Sequence, residues 1–204
     1  ARQLLTELAP RLLEALSNTA NPDAAFTKFN EFLGRLPAGV QLLSLFYSNP
    51  ALLDLVADVM GDAPRLADWL ARNPSLLDYV LTDDFHQPVE DFSTLAADLE
   101  ARLGHAEHFE QVLDVTRRWT NDQKFRVGVQ ILHGVTDGQA AGPALSAIAE
   151  TVIRALWPFV EREFSIRHGT VPGGAMAAIA YGKLGGREMM PESDLDLVFV
   201  YDHA

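Results

Sequence analysis

Cysteine is absent from the chain. That excludes a disulfide framework and a thiolate zinc site, and it fits a reducing cytoplasm. Long apolar runs are missing too. None approaches the ~20 residues that span a bilayer, and no signal-peptide pattern opens the chain, so no membrane partner is expected. Positive charge is scarce: Lys and Arg number 16 against 28 Asp and Glu, for a formal charge of −12. Nucleic acid is therefore not an expected partner, because phosphate backbones are held by clustered cations. What the chain does have is apolar material, 48% of its 204 residues, ample for a packed core. It opens without methionine and stops at Ala204, just after a β-rich run, which reads as a piece excised from a longer protein.

Most of the sequence carries helical spacing. Leu4, Leu5, Leu8, Leu12, Leu13 and Leu16 recur at three- and four-residue intervals over residues 2–17, with Pro10 a kink or a late helix start. Asn21-Pro22-Asp23 reads as a helix start, with an Asn cap, proline at the first helical position and an acid in the first turn. The same device recurs in Asn49-Pro50-Ala51-Leu52-Leu53-Asp54 and Asn73-Pro74-Ser75-Leu76-Leu77-Asp78. Two copies fit stacked helical hairpins or simply a shared capping solution, and they are too few for a solenoid. Residues 82–92, acidic and proline-bearing, read as a linker. Ser93 then caps a helix marked by Leu95, Leu99 and Leu103, and residues 109–134 form a long or broken helix. A further apolar face runs from Ala144 to Phe164, with Pro158 predicting a kink inside it. The expected architecture is mainly α: a helical region over 1–85, a second over 92–170, and the first strands of a truncated α/β domain over 171–204.

Two polar clusters invite a functional reading. His105 and His108 stand three apart beside Glu107 and Glu110, but no third ligand is evident and exposed histidines are common. Arg117, Arg118, Lys124 and Arg126 are the densest basic group in an acidic chain. They form either a solvated face paired with acids or cations reaching an anionic substrate.

The sharper signal lies in the tail. Small apolar residues lead into Tyr181-Gly182-Lys183-Leu184-Gly185-Gly186-Arg187-Glu188, and Ser193-Asp194-Leu195-Asp196-Leu197 opens a β-rich run. Residues two apart on a strand face the same way, so Asp194 and Asp196 present two carboxylates together. Hard divalent cations prefer such oxygens and share them with phosphates. Gly185-Gly186 lets the backbone approach a phosphate with no side chain in the way.

These two stretches resemble the signature of the polymerase-β-like nucleotidyltransferases, and more narrowly that of the glutamine-synthetase adenylyltransferase family. The run from Arg117 to Arg126 is similar to the helical region upstream of that family's catalytic domain. The resemblance implies that residues 171–204 begin an incomplete nucleotidyltransferase domain. It implies a bifunctional cytoplasmic enzyme that transfers AMP from ATP to a tyrosine of glutamine synthetase and removes it by phosphorolysis. A nitrogen-signalling partner of the PII type would regulate it. By position, Asp194 and Asp196 would hold Mg2+, and Gly185 and Gly186 would approach the β- and γ-phosphates through backbone donors. Ser193 would add a hydroxyl there, and Lys183 and Arg187 would offset negative charge. Asp202 is not taken as the third carboxylate, which in this superfamily usually comes from a later strand. The segment Phe32–Pro37 and the ending Asp196–Asp202 are closer to the adenylylating, C-terminal half of the family. A helical docking module with a non-catalytic nucleotide motif is the alternative, and a related nucleotidyltransferase acting on another substrate is a third reading.

Overall fold

The computed structural model describes residues 2–35, 39–74, 76–80, 89, 91–170 and 172–202. The protein is mainly α, and among the described residues it has one two-stranded sheet, near the C-terminal end. The helices are α1 (Arg2–Ser17), α2 (Pro22–Arg35), α3 (Gly39–Ser48), α4 (Pro50–Asp62), α5 (Pro64–Arg72), α6 (Leu76–Val80), α7 (Phe92–Leu103), α8 (Phe109–Leu132) and α9 (Gly142–His168). Strand β1 (Ala175–Ala180), the short helix α10 (Gly182–Gly185) and strand β2 (Leu197–Asp202) complete the order. Among the described residues no single helix is long and apolar enough to cross a membrane.

The chain divides into two compact units, Ala1–Gln87 with Gly128–Val135, and Pro88–Val127 with Thr136–Ala204. The second unit holds α7, α9, the hairpin and α8 as far as Val127, with the rest of α8 in the first unit, whereas the sequence suggested 92–170 as one region and 171–204 as another. The linker expected over 82–92 falls for the most part outside the described residues, as does the end of the Phe32–Pro37 segment.

In the first unit α4 is the central element. It packs against α1, α2, α3 and α5, and Leu52, Leu53, Leu55, Val56, Val59 and Met60 are all buried along it. Phe29, Phe32 and Phe46 pack around the same core with ring centroids 6.1–6.3 Å apart, so these aromatics are core residues. Asn21 caps α2 as its sequence suggests, its side-chain oxygen accepting from the Ala24 N–H at 3.2 Å.

Asn49 and Asn73 work differently. Their side-chain amides reach back to the Leu45 and Trp69 carbonyls, each at 3.3 Å, and close the preceding helix. Ala63, before Pro64, takes nearly the same backbone angles (φ −132°, ψ 73°) as Asn49 (φ −129°, ψ 83°) and Asn73 (φ −133°, ψ 72°). The near-repeat is thus one X-Pro junction used at successive helix breaks, because proline keeps the residue before it out of the helical region.

In the second unit α7 packs on α9. Trp119 of α8, almost fully buried, donates its indole N–H to Asp98 of α7 at 2.7 Å, which satisfies the one polar atom of that ring. Helix α8 runs unbroken from Phe109 to Leu132, and Pro10 and Pro158 lie inside α1 and α9 without ending them. The cap of α7 is Asp91, not Ser93. Its carboxylate accepts from the Thr94 N–H at 3.0 Å, and the Ser93 hydroxyl donates to the same oxygen at 2.7 Å. Aspartate and serine are comparable caps, and the helix dipole adds a preference for the negatively charged one.

These bonds, the Ser93 hydroxyl first, hold the Asp91 carboxyl below its usual range. A lowered folded pKa means stability that is present above the unfolded value of about 3.9 and lost as pH falls through the folded one. Replacing Asp91→Ala should therefore lower the urea midpoint at pH 7, with a smaller deficit at pH 3. An equal deficit at both values would assign the loss to something other than the carboxylate.

Candidate nucleotide and metal site

Strands β1 and β2 pair antiparallel, with Ala180 opposite Leu197, Ala178 opposite Phe199 and Met176 opposite Tyr201. Alternation then sorts the side chains. Phe199 meets Trp157 of α9 with ring centroids 6.0 Å apart, so the odd-numbered residues of β2 face α9. Val198 and Val200 face the other way, with Ile179 across from Val198, and all three are exposed.

The two acids do not stand on the strand itself, as the sequence had suggested. Strand β2 begins at Leu197, and Asp194 and Asp196 occupy its lead-in. The backbone pairing still reaches one residue further, because the Tyr181 N–H donates to the Asp196 carbonyl at 2.9 Å. Asp196 is therefore held by the hairpin, next to Val198 in the alternation and away from α9. Asp194 lies two residues earlier, and both acids are exposed.

The glycine segment forms α10, a single helical turn rather than an open loop. This corrects one expectation. The N–H groups of Gly185 and Gly186 donate to the Tyr181 and Gly182 carbonyls, each at 3.0 Å, so in this structure they are committed within the turn and not offered to a phosphate. What the missing side chain of Gly185 permits is close approach: a Cβ there would lie 2.5 Å from the Ala180 carbonyl oxygen. Lys183 is exposed on the same turn. Ser193 closes the loop before the acids, its hydroxyl oxygen accepting from the Met190 N–H at 2.9 Å and its own N–H donating to the Met190 carbonyl at 3.0 Å. Arg187 takes a left-handed φ of 57° and donates to Glu150 of α9 at 3.1 Å. The backbone thus gathers Lys183, Gly185, Gly186, Arg187, Ser193, Asp194 and Asp196 into one turn-and-loop segment between the strands.

Sequence reasoning missed the residues behind this segment. A cavity of about 610 Å3 lies between α9 and the hairpin, lined by Glu150, Arg154, Trp157, Met176, Leu184 and Arg187 among others. Glu150 joins two arginines there, accepting from Arg187 at 3.1 Å and from Arg154 at 2.9 Å. Only the i,i+4 spacing of Glu150 and Arg154 was readable in advance; Arg187 joins them from a turn thirty-seven residues away.

The three arginines of the α8 basic cluster have other surroundings. Arg117 pairs with Asp114 on its own helix, and Arg126 is buried. Arg118 sits near Asp122, whose carboxyl is pushed up by burial against the opposing pull of Arg102 and Arg118. His105 and His108 gather no metal set, and among the described residues no group of three or more His, Cys, Asp or Glu does so.

The donor chemistry of the tail nonetheless fits magnesium. Asp194 and Asp196 are exposed, and among the described residues neither carboxylate has a hydrogen-bond or ion-pair partner. Their oxygens are hard donors held close in sequence, and Mg2+ usually takes one or two carboxylates together with substrate phosphates and water.

Comparison with known proteins gives the family. The sequence profile of glutamate-ammonia ligase adenylyltransferase matches residues 53–204. This chain belongs to the glutamate-ammonia ligase adenylyltransferase family. Similar proteins include the bifunctional glutamine synthetase adenylyltransferase/adenylyl-removing enzyme of Mesorhizobium japonicum, 45% identical over 203 residues, 100% of this chain and 21% of that protein. The enzyme of the same description from Brucella suis is 43% identical over the same share of each chain. That of Caulobacter vibrioides is 41% identical over 98% of this chain and 20% of its own length. The chain thus spans about a fifth of the length of the curated relatives it matches.

One contact ties the segment to the helical body of the second unit. Gly142, at the start of α9, meets the 187–188 backbone so closely that a Cβ would lie 2.9 Å from the Arg187 carbonyl oxygen and 3.2 Å from the Glu188 Cα. Alanine normally stabilises a helix by up to about 1 kcal/mol over glycine. Here the clash with backbone outweighs that gain, since overpacking costs about 1–3 kcal/mol. Gly142→Ala should therefore lower the denaturation midpoint, and a raised midpoint would show that the contact yields freely.

Proposed function

We propose that this chain is the part of a protein adenylyltransferase that begins its nucleotide-binding domain, within an enzyme that transfers AMP from ATP to a tyrosine of glutamine synthetase. The observation that carries the reading is the placement of Asp196 by the hairpin against the glycine turn, with Asp194 beside it in the lead-in. Membership of the family supports it, as do the names of the relatives. Asp194 and Asp196 hold Mg2+. When bound, the metal neutralises charge on the triphosphate and orients it.

The chain's own residues supply position. The paired strands hold Asp196 through the Tyr181 N–H, and α10 packs Leu184 inward so that the turn stays fixed beside the acids. Lys183 is exposed on the turn and balances phosphate charge, while Arg187, also exposed, is drawn toward Glu150 and braces the turn against α9. In the transfer the acceptor tyrosine oxygen forms a bond to the α-phosphorus and the bond to the β-phosphate oxygen breaks. Pyrophosphate leaves, and the phenolic proton passes to solvent or a base. The reverse reaction, phosphorolysis of the AMP-tyrosine bond, the PII-type regulator and a cytoplasmic location belong to the same proposal. We assign the chain to the adenylylating half on the likeness of the Phe32–Pro37 and Asp196–Asp202 segments.

The test is made in the whole protein. Asp194→Asn with Asp196→Asn should lower AMP transfer at least about a thousandfold, the upper range for loss of a preorganised electrostatic group. Calorimetric affinity for ATP with Mg2+ should fall with it. Equal binding and equal transfer in both forms would favour a docking module with a non-catalytic motif.

Two carboxylates alone make a sparse site, and among the described residues no third acid joins them. The isolated 204-residue chain should accordingly show no measurable AMP transfer. Metal-dependent labelling of glutamine synthetase by that chain alone would contradict this.

A further inference from the structure

Gly182 stands outside the Gly185-Gly186 pair to which the sequence motif draws attention, yet it lies against the key acid. A Cβ built on it would lie 2.3 Å from Oδ2 of Asp196, 3.3 Å from its Cγ and 3.6 Å from its Cβ. The Asp196 carboxylate therefore rests on the bare α-carbon of Gly182. Both partners are pinned by backbone bonds. Gly182 accepts from the Gly186 N–H at 3.0 Å within α10, and the preceding residue, Tyr181, donates to the Asp196 carbonyl at 2.9 Å.

Gly182 also has a φ of +55°, a left-handed value that would by itself explain a glycine. That strain meets any side chain at 182 whatever the space around it. Five positions later the chain nevertheless puts Arg187 at φ 57°, so a left-handed φ alone does not demand glycine. The two positions differ in what occupies the Cβ direction: at Gly182 it is the Asp196 carboxylate.

We propose that Gly182 is a positioning residue for metal binding, its missing side chain forming the seat that fixes the Asp196 carboxylate at the glycine turn. The proposal rests on the reading of Asp196 as a metal ligand. An aspartate otherwise free to rotate loses rotamer freedom when it takes a metal. The bare α-carbon of Gly182 leaves room for the one carboxylate position seen here, which is the usual role of groups packed behind a ligand. Any β-carbon at position 182 drives the carboxylate off its seat.

The experiment uses the whole protein with Gly182→Ala, Gly182→Asn, Asp196→Ala and the double variant Gly182→Ala with Asp196→Ala. The probe is Mn2+, its free concentration followed by electron paramagnetic resonance in the presence of a non-hydrolysable ATP analogue. Asparagine tolerates left-handed φ, so it separates backbone conformation from the seat. Both Gly182 substitutions should weaken Mn2+ binding about tenfold or more, the usual range for groups supporting a ligand. Wild-type affinity in Gly182→Asn would overturn the proposal and leave the glycine a purely conformational role.

Urea unfolding without metal supplies an independent reading. Gly182→Ala should destabilise the protein clearly less when Asp196 is already alanine, a coupling expected only of groups in contact. An identical cost in both backgrounds also overturns the seat. If Asp196→Ala leaves Mn2+ affinity unchanged, the metal reading of Asp196 fails and the positioning role fails with it. The stability coupling would then still report whether the seat exists, so the two failures are distinguishable.

Discussion

The antiparallel pairing of β1 with β2 is the constraint from which the site follows. With Ala180 opposite Leu197, the next residues outward are Tyr181 and Asp196, and their backbone bond carries the ladder one step past the strand. That bond sets which way Asp196 faces. A register slip of one residue would turn it toward α9 and the aromatic contact of Trp157 with Phe199. The packing of Phe199 against α9 and the placing of the carboxylate near the glycine turn are thus two consequences of one register.

A two-stranded hairpin is marginal in water by itself, and this one leans on the rest of its unit. Leu184 and Met189 of the segment connecting the strands are buried, Gly142 admits the 187–188 backbone, and Arg187 reaches Glu150. The exposed ion pair contributes little energy. Its geometry matters more, because it spans from the turn to α9. The helices of this unit therefore act as the platform for a segment whose own pairing would not suffice.

Much of this was legible in the sequence, and the parts that were not share a cause. The leucine and phenylalanine stripes give α1, α2, α4, α7 and α9 because burial of one helix face follows a local period. Asp194, Asp196 and the glycines are found by their spacing. What spacing could not show is which atom a polar side chain or an N–H is paired with. Asn49 and Asn73 read as N-caps but bond backward to helices that end one residue before them, whereas Asn21, also followed by proline but three residues clear of α1, bonds forward. Ser93 read as a cap and is outranked by Asp91. Gly185 and Gly186 read as phosphate donors, yet their N–H groups close α10. Glu150, Arg154 and Gly182 are significant through contacts distant in sequence, which no local pattern encodes.

The central claim is that Asp194 and Asp196 hold a divalent metal at the glycine turn together with a nucleotide. It is tested most directly by anomalous scattering from crystals of the whole protein grown with Mn2+ and α,β-methylene-ATP. The account predicts a manganese peak about 2.0–2.3 Å from carboxylate oxygens of both aspartates, the distance range of hard divalent cations, with the analogue's phosphates beside Gly182–Gly186. A nucleotide and metal bound elsewhere, with both carboxylates left in solvent, would contradict it.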